Sequence, residues 1–463
     1  MLGRAGRLLA NAIAPPLFIA GCGGSGGSEG PIDPSSITLT LDRSSISVTA
    51  EERSSTMPVE SINFRLSRVP DEGFVISANG SDNGVLNGDI LDTGETTFAI
   101  QLRFRSSEFM DAGVYSDSVT VSVCLDDPCT RHLSGSPKTI TTQYTVTPVK
   151  VTDSTESRLT GRLFYIGAAD LAWDANSSRL LMVTESDSTK FPNSLVSLDP
   201  MSGTFSQLLS LPFIPKKMAI SGSGSYLYVE PRFDGYTNRY TLPTVTLDAQ
   251  ISRISDELSL SASEIAPLPE APLSYAVALE SGNTPFRIRI VDDQTPRPNS
   301  ISVPTPTPDH LCSISPTVLW GSGHGFFAYS VDENGISQTT YGASTNPIGD
   351  VLCGSDLAHT TLVLAVDPSD GTIARDYVPQ GFRALGAVID VELDRYFLLV
   401  SSPTNQLELR SFEASTGAVL ETVLIYGLTA DDVDRIVRWG ADGLAVLSIA
   451  NQVLVVRGTF VAG

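Results

Sequence analysis

The sequence predicts an all-β chain in two parts, a short two-sheet sandwich followed by a ring of similar four-stranded sheets. Three observations carry that expectation. Short runs alternate apolar and polar residues, as half-buried strands require. Gly and Pro number 38 and 29, so turns are plentiful. From residue 158 onward, a two-strand unit recurs at intervals close to those of a four-stranded propeller blade.

Composition narrows the function classes. A hydrophobic fraction of 41% over 463 residues is enough to build the cores of two or three domains. Acidic residues number 52 and basic residues 30, for a formal charge of -22. Such a surface repels a phosphate backbone, and no Lys/Arg cluster offsets it. The charge therefore argues against nucleic acid as a partner.

Residues 1–22 read as an export signal. Arg4 and Arg7 form its positive start, and an apolar stretch runs from Leu8 to Ala20. That stretch is too short to span a bilayer, and Asn11 and the Pro15-Pro16 pair interrupt it. Its end, Ile19-Ala20-Gly21-Cys22, resembles the lipobox cut by bacterial lipoprotein signal peptidase. The resemblance implies a diacylglycerol on Cys22 and a membrane partner through that lipid. Residues 23–36, opening Gly23-Gly24-Ser25-Gly26-Gly27-Ser28, read as a flexible tether. Gly at position 23, by resemblance to Gram-negative lipoproteins, implies the outer membrane of the cell envelope.

Cys22 accounts for the odd cysteine of five. Cys124, Cys129, Cys312 and Cys353 remain, an even number in an oxidising compartment. Sequence order pairs them as Cys124–Cys129 and Cys312–Cys353. A metal site is the weaker alternative, because no CxxC knuckle occurs and no His sits at ligand spacing.

Residues 37–150 carry the sandwich. Alternating runs lie at 37–41, 62–66, 98–104, 119–123 and 140–146, and turn clusters such as 79–84 separate them. Ala112-Gly113-Val114-Tyr115-Ser116-Asp117-Ser118-Val119 resembles the entry to the penultimate strand of bacterial immunoglobulin-like and fibronectin-type modules. That resemblance implies a spacer or adhesion unit in which Tyr115 packs a corner.

Residues 148–157 read as a linker, and residues 158–461 as the propeller. Leu171-Ala172-Trp173-Asp174 leads to Arg179-Leu180-Leu181-Met182-Val183, and the pattern recurs at 218–229 and 388–399. A second unit, Leu198-Asp199-Pro200-Met201-Ser202-Gly203-Thr204, recurs at 366–372 and 412–418. Its Asp starts a turn and its Gly supplies the positive φ that closes a hairpin. Innermost strands are placed near Leu171, Met218, Tyr275, Leu319, Leu352, Val388 and Ile436, which implies seven blades. The last blade lacks one strand, and residues 162–166 supply it in a three-plus-one closure. These repeats resemble the seven-bladed surface-layer and quinoprotein-like propellers of YVTN type, including bacterial lipoproteins that join a propeller to an immunoglobulin-like module.

Chemistry is sparse. The four histidines, His132, His310, His324 and His359, form no HExxH, and no GxSxG elbow or P-loop is present. Gly321-Ser322-Gly323-His324-Gly325 reads as a strand-to-strand turn. Trp173, Trp320 and Trp439 read as packing between blades, and Asp332-Glu333-Asn334-Gly335 as a hairpin turn. No catalytic residue, metal ligand or cofactor site is assigned. The leading expectation is a non-enzymatic binding or scaffold lipoprotein whose propeller face recognises a protein, peptide or glycan. The alternatives are a propeller enzyme (lyase, lactonase or quinoprotein-like) with its site at the channel mouth, and an adhesin using the sandwich.

Overall fold

The computed structural model describes residues 17–19 and 36–463, except for 53, 71–73, 82, 111, 127–128, 153–157, 189, 253–260, 282–283, 303–307, 324, 344–349, 354–356, 361–363 and 429–432. Cys22, the tether up to residue 35, His324 and residues 153–157 of the expected linker lie outside the described residues. The chain divides into two compact units, Met1–Val149 and Lys150–Gly463. Both are built of strands, and the one α-helix among the described residues is Thr459–Ala462.

The first unit is a pair of sheets over one core. One sheet orders Leu17–Ile19, Phe74–Gly80, Gly113–Cys124, Lys138–Thr147 and Ser45–Glu51. The other orders Leu39–Leu41, Val59–Leu66, Thr97–Phe104 and Val85–Gly94. Every second residue of each central strand points inward, so Ile62, Phe64, Ile100, Val121 and Ile140 from the two sheets share a core. Ser45–Glu51 runs parallel to Lys138–Thr147, and the other pairings are antiparallel.

Two local expectations are corrected here. Ser45–Glu51, Phe74–Gly80 and Val85–Gly94 are strands that the alternating runs do not mark. Val85–Gly94 is mostly exposed, so its side chains carry little apolar period. Tyr115 is only partly buried, 6.5 Å from the ring of Tyr144. The buried tyrosine is Tyr144, whose hydroxyl donates to the Arg105 carbonyl at 3.1 Å. The turn after Phe74–Gly80 is held by Asp117. Its carboxylate accepts from the Ser81 hydroxyl at 2.6 Å and from the Asn83, Gly84 and Val85 amides at 3.0, 2.6 and 2.8 Å. Burial alone would raise its pKa, but these donors hold it below the ordinary carboxylate value.

The second unit repeats one motif, a four-stranded antiparallel sheet. Among the described residues there are seven such sets, two of them joined by a single parallel bridge between Asn299 and Gly335. Their first strands are Ala168–Asp174, Pro215–Ile220, Ser261–Pro267, Pro308–Ser315, Val351–Leu352, Arg383–Asp390 and Val433–Trp439. These lie side by side from sheet one to sheet five and from six to seven, and Ala168–Asp174 returns against Val433–Trp439. They therefore form the inner wall of a nearly closed ring. Gly203, Gly371 and Gly417, the glycines of the three recurring hairpins, which start at Asp199, Asp367 and Glu413, all have positive φ.

Two innermost strands fall elsewhere than the sequence places them. Tyr275 and Leu319 belong to second strands, Ser274–Ser281 and Val318–Gly323. Second strands are covered on both faces and are the more apolar, with Tyr275 and Leu319 fully buried. The inner strands of those two sheets carry Glu264 and His310 and so read as weaker signals. The residue 148–157 linker is also partly structural: Val151 is buried, and Thr152 bridges to Ile425 at the edge of sheet six.

The seventh sheet contains strands from both ends of the unit. Thr160–Tyr165 pairs antiparallel with Gln452–Arg457 over six residues, Phe164 opposite Val453. Leu163 and Leu454 enter the core shared with Phe397, Leu444 and Phe460. Cys124 and Cys129 form one disulfide and Cys312 and Cys353 another, with Cα–Cα distances of 5.1 and 5.6 Å. The first closes a hairpin end and the second ties the inner strands of sheets four and five. Loop-closure entropy makes the longer one worth about 4 kcal/mol and the shorter about 2 kcal/mol.

Because Leu163 holds the ends of the ring together, Leu163→Ala should destabilise the second unit by about 2–5 kcal/mol in urea unfolding. A loss below about 1 kcal/mol would contradict the closure.

Candidate functional site

The inner strands share a local irregularity. In sheets one to four, six and seven the pairing of first and second strands shifts near the start of the inner strand. A bulge re-aims the side chain that follows it. The residues just past the shift are Asp170, Lys217, Glu264, His310, Gly386 and Arg435. In sheet five, Asp350 stands immediately before the short strand Val351–Leu352. Each inner strand starts where its second strand ends, so all seven positions lie at one end of the channel.

Six of these seven residues are ionisable, and five of them meet in a chain of close contacts. Arg435 Nε stands 3.1 Å from Asp170 Oδ1, joining the last inner strand to the first. Asp170 also accepts the Leu171 amide at 2.9 Å and the Met218 amide at 2.8 Å. Arg435 Nη2 donates to Glu264 Oε1 across the channel at 3.5 Å. His310 Nδ1 lies 3.5 Å from Glu264 Oε2, and His310 Nε2 lies 2.7 Å from Asp350 Oδ1. Asp170 is 1% exposed and Glu264 6%, while Arg435, His310 and Asp350 are half-buried.

Burial and pairing compete at each group. Burial pushes Asp170 up from the usual carboxylate value, against Arg435 and Lys217. Burial also works against Glu264, but His310, Arg435 and Lys217 bring it down to about 2. Burial would lower His310, yet Asp350 and Glu264 raise it to about 9. Burial likewise opposes charge on Lys217 and Arg435, and Asp170 and Glu264 raise both. At neutral pH Glu264 is thus a fixed anion and His310 a fixed cation.

A cavity of about 460 Å³ opens on this belt. Glu264, His310, Asp350, Asp434 and Arg435 line it. Gly386, Ala387 and Val433 line it as well.

The residues singled out in sequence fall mostly elsewhere. Trp320 and Trp439 are buried, and Trp439 packs 6.1 Å from Trp173 between sheets seven and one. Asp332 accepts the amides of Asn334 and Gly335 at 2.8 and 3.0 Å, an ordinary turn. His359 is buried against the Tyr377 hydroxyl and the Leu357 carbonyl, and burial lowers its pKa. His132 departs from the sequence reading. Its Nδ1 stands 3.4 Å from Cys124 Sγ, and Cys124, Cys129 and His132 bring their ligand atoms within 4.8 Å. Chain spacing hides this because a hairpin folds His132 back opposite Cys124. The sulfurs are joined to each other and offer no thiolate.

The belt itself was missed. Its members lie in different repeats and form no local motif. Their common signal is the position just past an inner-strand bulge, which only the pairing reveals.

No protein-family model matches the chain, and no curated protein matches it. Among solved structures, the WD40 repeats of RRP9 are similar at 11% identity and a TM-score of 0.50, covering 66% of this chain and 99% of that one. A protein of unknown function from Bacteroides thetaiotaomicron is similar at 12% identity and a TM-score of 0.40, covering 92% and 100%. The dihydro-heme d1 dehydrogenase NirN is similar at 10% identity and a TM-score of 0.44, covering 71% and 66%. The second unit thus has a propeller-type fold.

Two outcomes test the belt. Arg435→Met leaves Asp170 buried without its cation and should cost about 3–5 kcal/mol. Adding Asp170→Asn should recover more than about 1 kcal/mol of that loss in a double-mutant cycle, whereas additive effects would contradict the pairing. The pH profile follows from the two folded values. His310, raised from 6.5 to about 9, contributes stability that is complete below pH 6.5 and is lost as pH rises through about 9. Glu264, lowered from 4.5 to about 2, contributes stability present above pH 4.5 and lost as pH falls through about 2. The alkaline loss should be about 3 kcal/mol and absent from His310→Gln. Equal pH profiles would contradict it.

Proposed function

We propose that this protein is a lipid-anchored binding module of the cell envelope, held to the outer membrane through Cys22. An immunoglobulin-like sandwich serves as its spacer, and a seven-bladed propeller takes the ligand at its channel mouth. Removal of residues 1–21 would delete Leu17–Ile19, the strand that pairs with Phe74–Ile76. It would also remove Arg4 and Arg7 and bring the charge to -24.

The observation that carries a binding reading is the pairing within the belt, in which His310 lies 2.7 Å from Asp350 and 3.5 Å from Glu264, and Glu264 lies 3.5 Å from Arg435. A general acid or base works best with a pKa near the operating pH. Glu264 at about 2 and His310 at about 9 both stand away from neutrality, each fixed by an ion pair. Such groups orient a charged ligand and are poor at moving protons. Convergence of a histidine and carboxylates at the channel mouth is the feature that favours the enzyme alternative. Those protonation states weigh against it.

Fractionation tests the anchor: Cys22→Ala should move the protein from membranes to the soluble fraction, and unchanged membrane retention would refute the tether. Capture tests the site. Residues 23–463 immobilised against envelope extract should retain a species that Asp350→Asn with Asp434→Asn does not. Equal retention by both would refute the channel mouth as the binding site.

A further inference from the structure

We propose that the break in the charged belt at Gly386 is a binding site for a small zwitterion of the amino-acid type. The proposal rests on the channel mouth being the ligand site and names what that site takes.

In sheet order the belt reads Asp170, Lys217, Glu264, His310, Asp350, Gly386, Arg435. The signs run minus, plus, minus, plus, minus, none, plus. Seven positions in a closed ring cannot alternate throughout, because an odd ring sets two like charges side by side or leaves one place neutral. Gly386 is the neutral place. Its neighbours in the ring are an anion, Asp350, and a cation, Arg435. What fits between them is a group with both signs, its ammonium toward the carboxylates and its carboxylate toward the guanidinium.

The space is real and is lined by both signs. The cavity of about 460 Å³ reaches Gly386 and includes Asp350, Asp434 and Arg435. A Cβ on Gly386 would meet Val433 Cγ1 at 3.0 Å and Ile436 Cδ1 at 3.3 Å, so any side chain there would intrude between sheets six and seven. Arg435 uses Nε and Nη2 toward Asp170 and Glu264, two of its three nitrogens.

A second observation points to a donor on the ligand. Glu264 lines the cavity and is 6% exposed, and its Oε2 makes one long contact, with His310. Its nearest cation, His310 Nδ1, is 3.5 Å away. A buried carboxylate oxygen with one donor at that distance has room to accept a second, and an ammonium supplies one. The four acids Asp170, Glu264, Asp350 and Asp434 face three cations, so a net negative charge remains for that ammonium. A metal ion fits less well, because no three ligand atoms of these acids come together as those of Cys124, Cys129 and His132 do. The volume suits an amino acid with its side chain.

Titration calorimetry on residues 23–463 at pH 7 tests this with glycine, L-alanine, L-glutamate and L-lysine as probes, beside acetate and methylamine as half-ligands. At least one amino acid should bind with a Kd below about 1 mM, and each half-ligand about tenfold more weakly or worse. Asp434→Asn, at an exposed position, should weaken the amino acid about tenfold while leaving the unfolding transition in place. Gly386→Val should abolish binding. Binding of methylamine or acetate as tight as the amino acids, or affinity unchanged in Asp434→Asn, would overturn the proposal. If no amino acid binds but envelope capture still depends on Asp350 and Asp434, the ligand class is wrong and the channel-mouth reading stands. If capture is independent of them too, both fall.

Discussion

The Arg435–Asp170 ion pair joins the last inner strand of the ring to the first, and its carboxylate is buried. A guanidinium and a carboxylate in that setting are stable only together. Each also feeds a longer chain: Arg435 reaches Glu264 across the channel, Glu264 faces His310, and His310 reaches Asp350. Five sheets are thereby coupled through their inner strands. The Thr160–Tyr165 strand closes the ring by backbone pairing, and the belt closes it by charge. The Cys312–Cys353 bond pins two of the same inner strands covalently.

This arrangement explains why the channel is polar and still compatible with a stable fold. Buried charges are tolerated when each finds a partner. The bulge near the start of six of the inner strands, with Asp350 just before the seventh, sets one residue per sheet at the same level, and signs that alternate make neighbours attractive. The ring number then imposes its own condition, since the alternation fails once. At that point the chain carries Gly386 and the cavity opens. The ion pairs and the proposed ligand site thus come from the same geometry.

Much of the architecture was legible in sequence because it depends on period and turn chemistry. The Asp-start hairpins at Asp199 and Asp367, with glycines at 203 and 371, announced themselves. So did the strand at 160–165, apolar and without a neighbour of its own. The inner strands at 261–267 and 308–315 did not, since their polar residues face the channel and dilute the hydrophobic signal. In the first unit Val85–Gly94 was hidden for a similar reason, being mostly solvent-facing. The belt was beyond local reading altogether. Nothing in the sequence around His310 says that Glu264 and Asp350 flank it; ring order does. His132 shows the same limit, brought to Cys124 by a hairpin that spacing alone does not reveal.

The account turns on His310 being a cation clamped between two carboxylates. Side-chain nitrogen NMR of the four histidines would read this directly. The His310 resonances, assigned by their loss in His310→Gln, should report both ring nitrogens protonated at pH 7 and titrate only near 9. A neutral imidazole at pH 7, titrating near 6.5, would show that the belt is not the charged network described above.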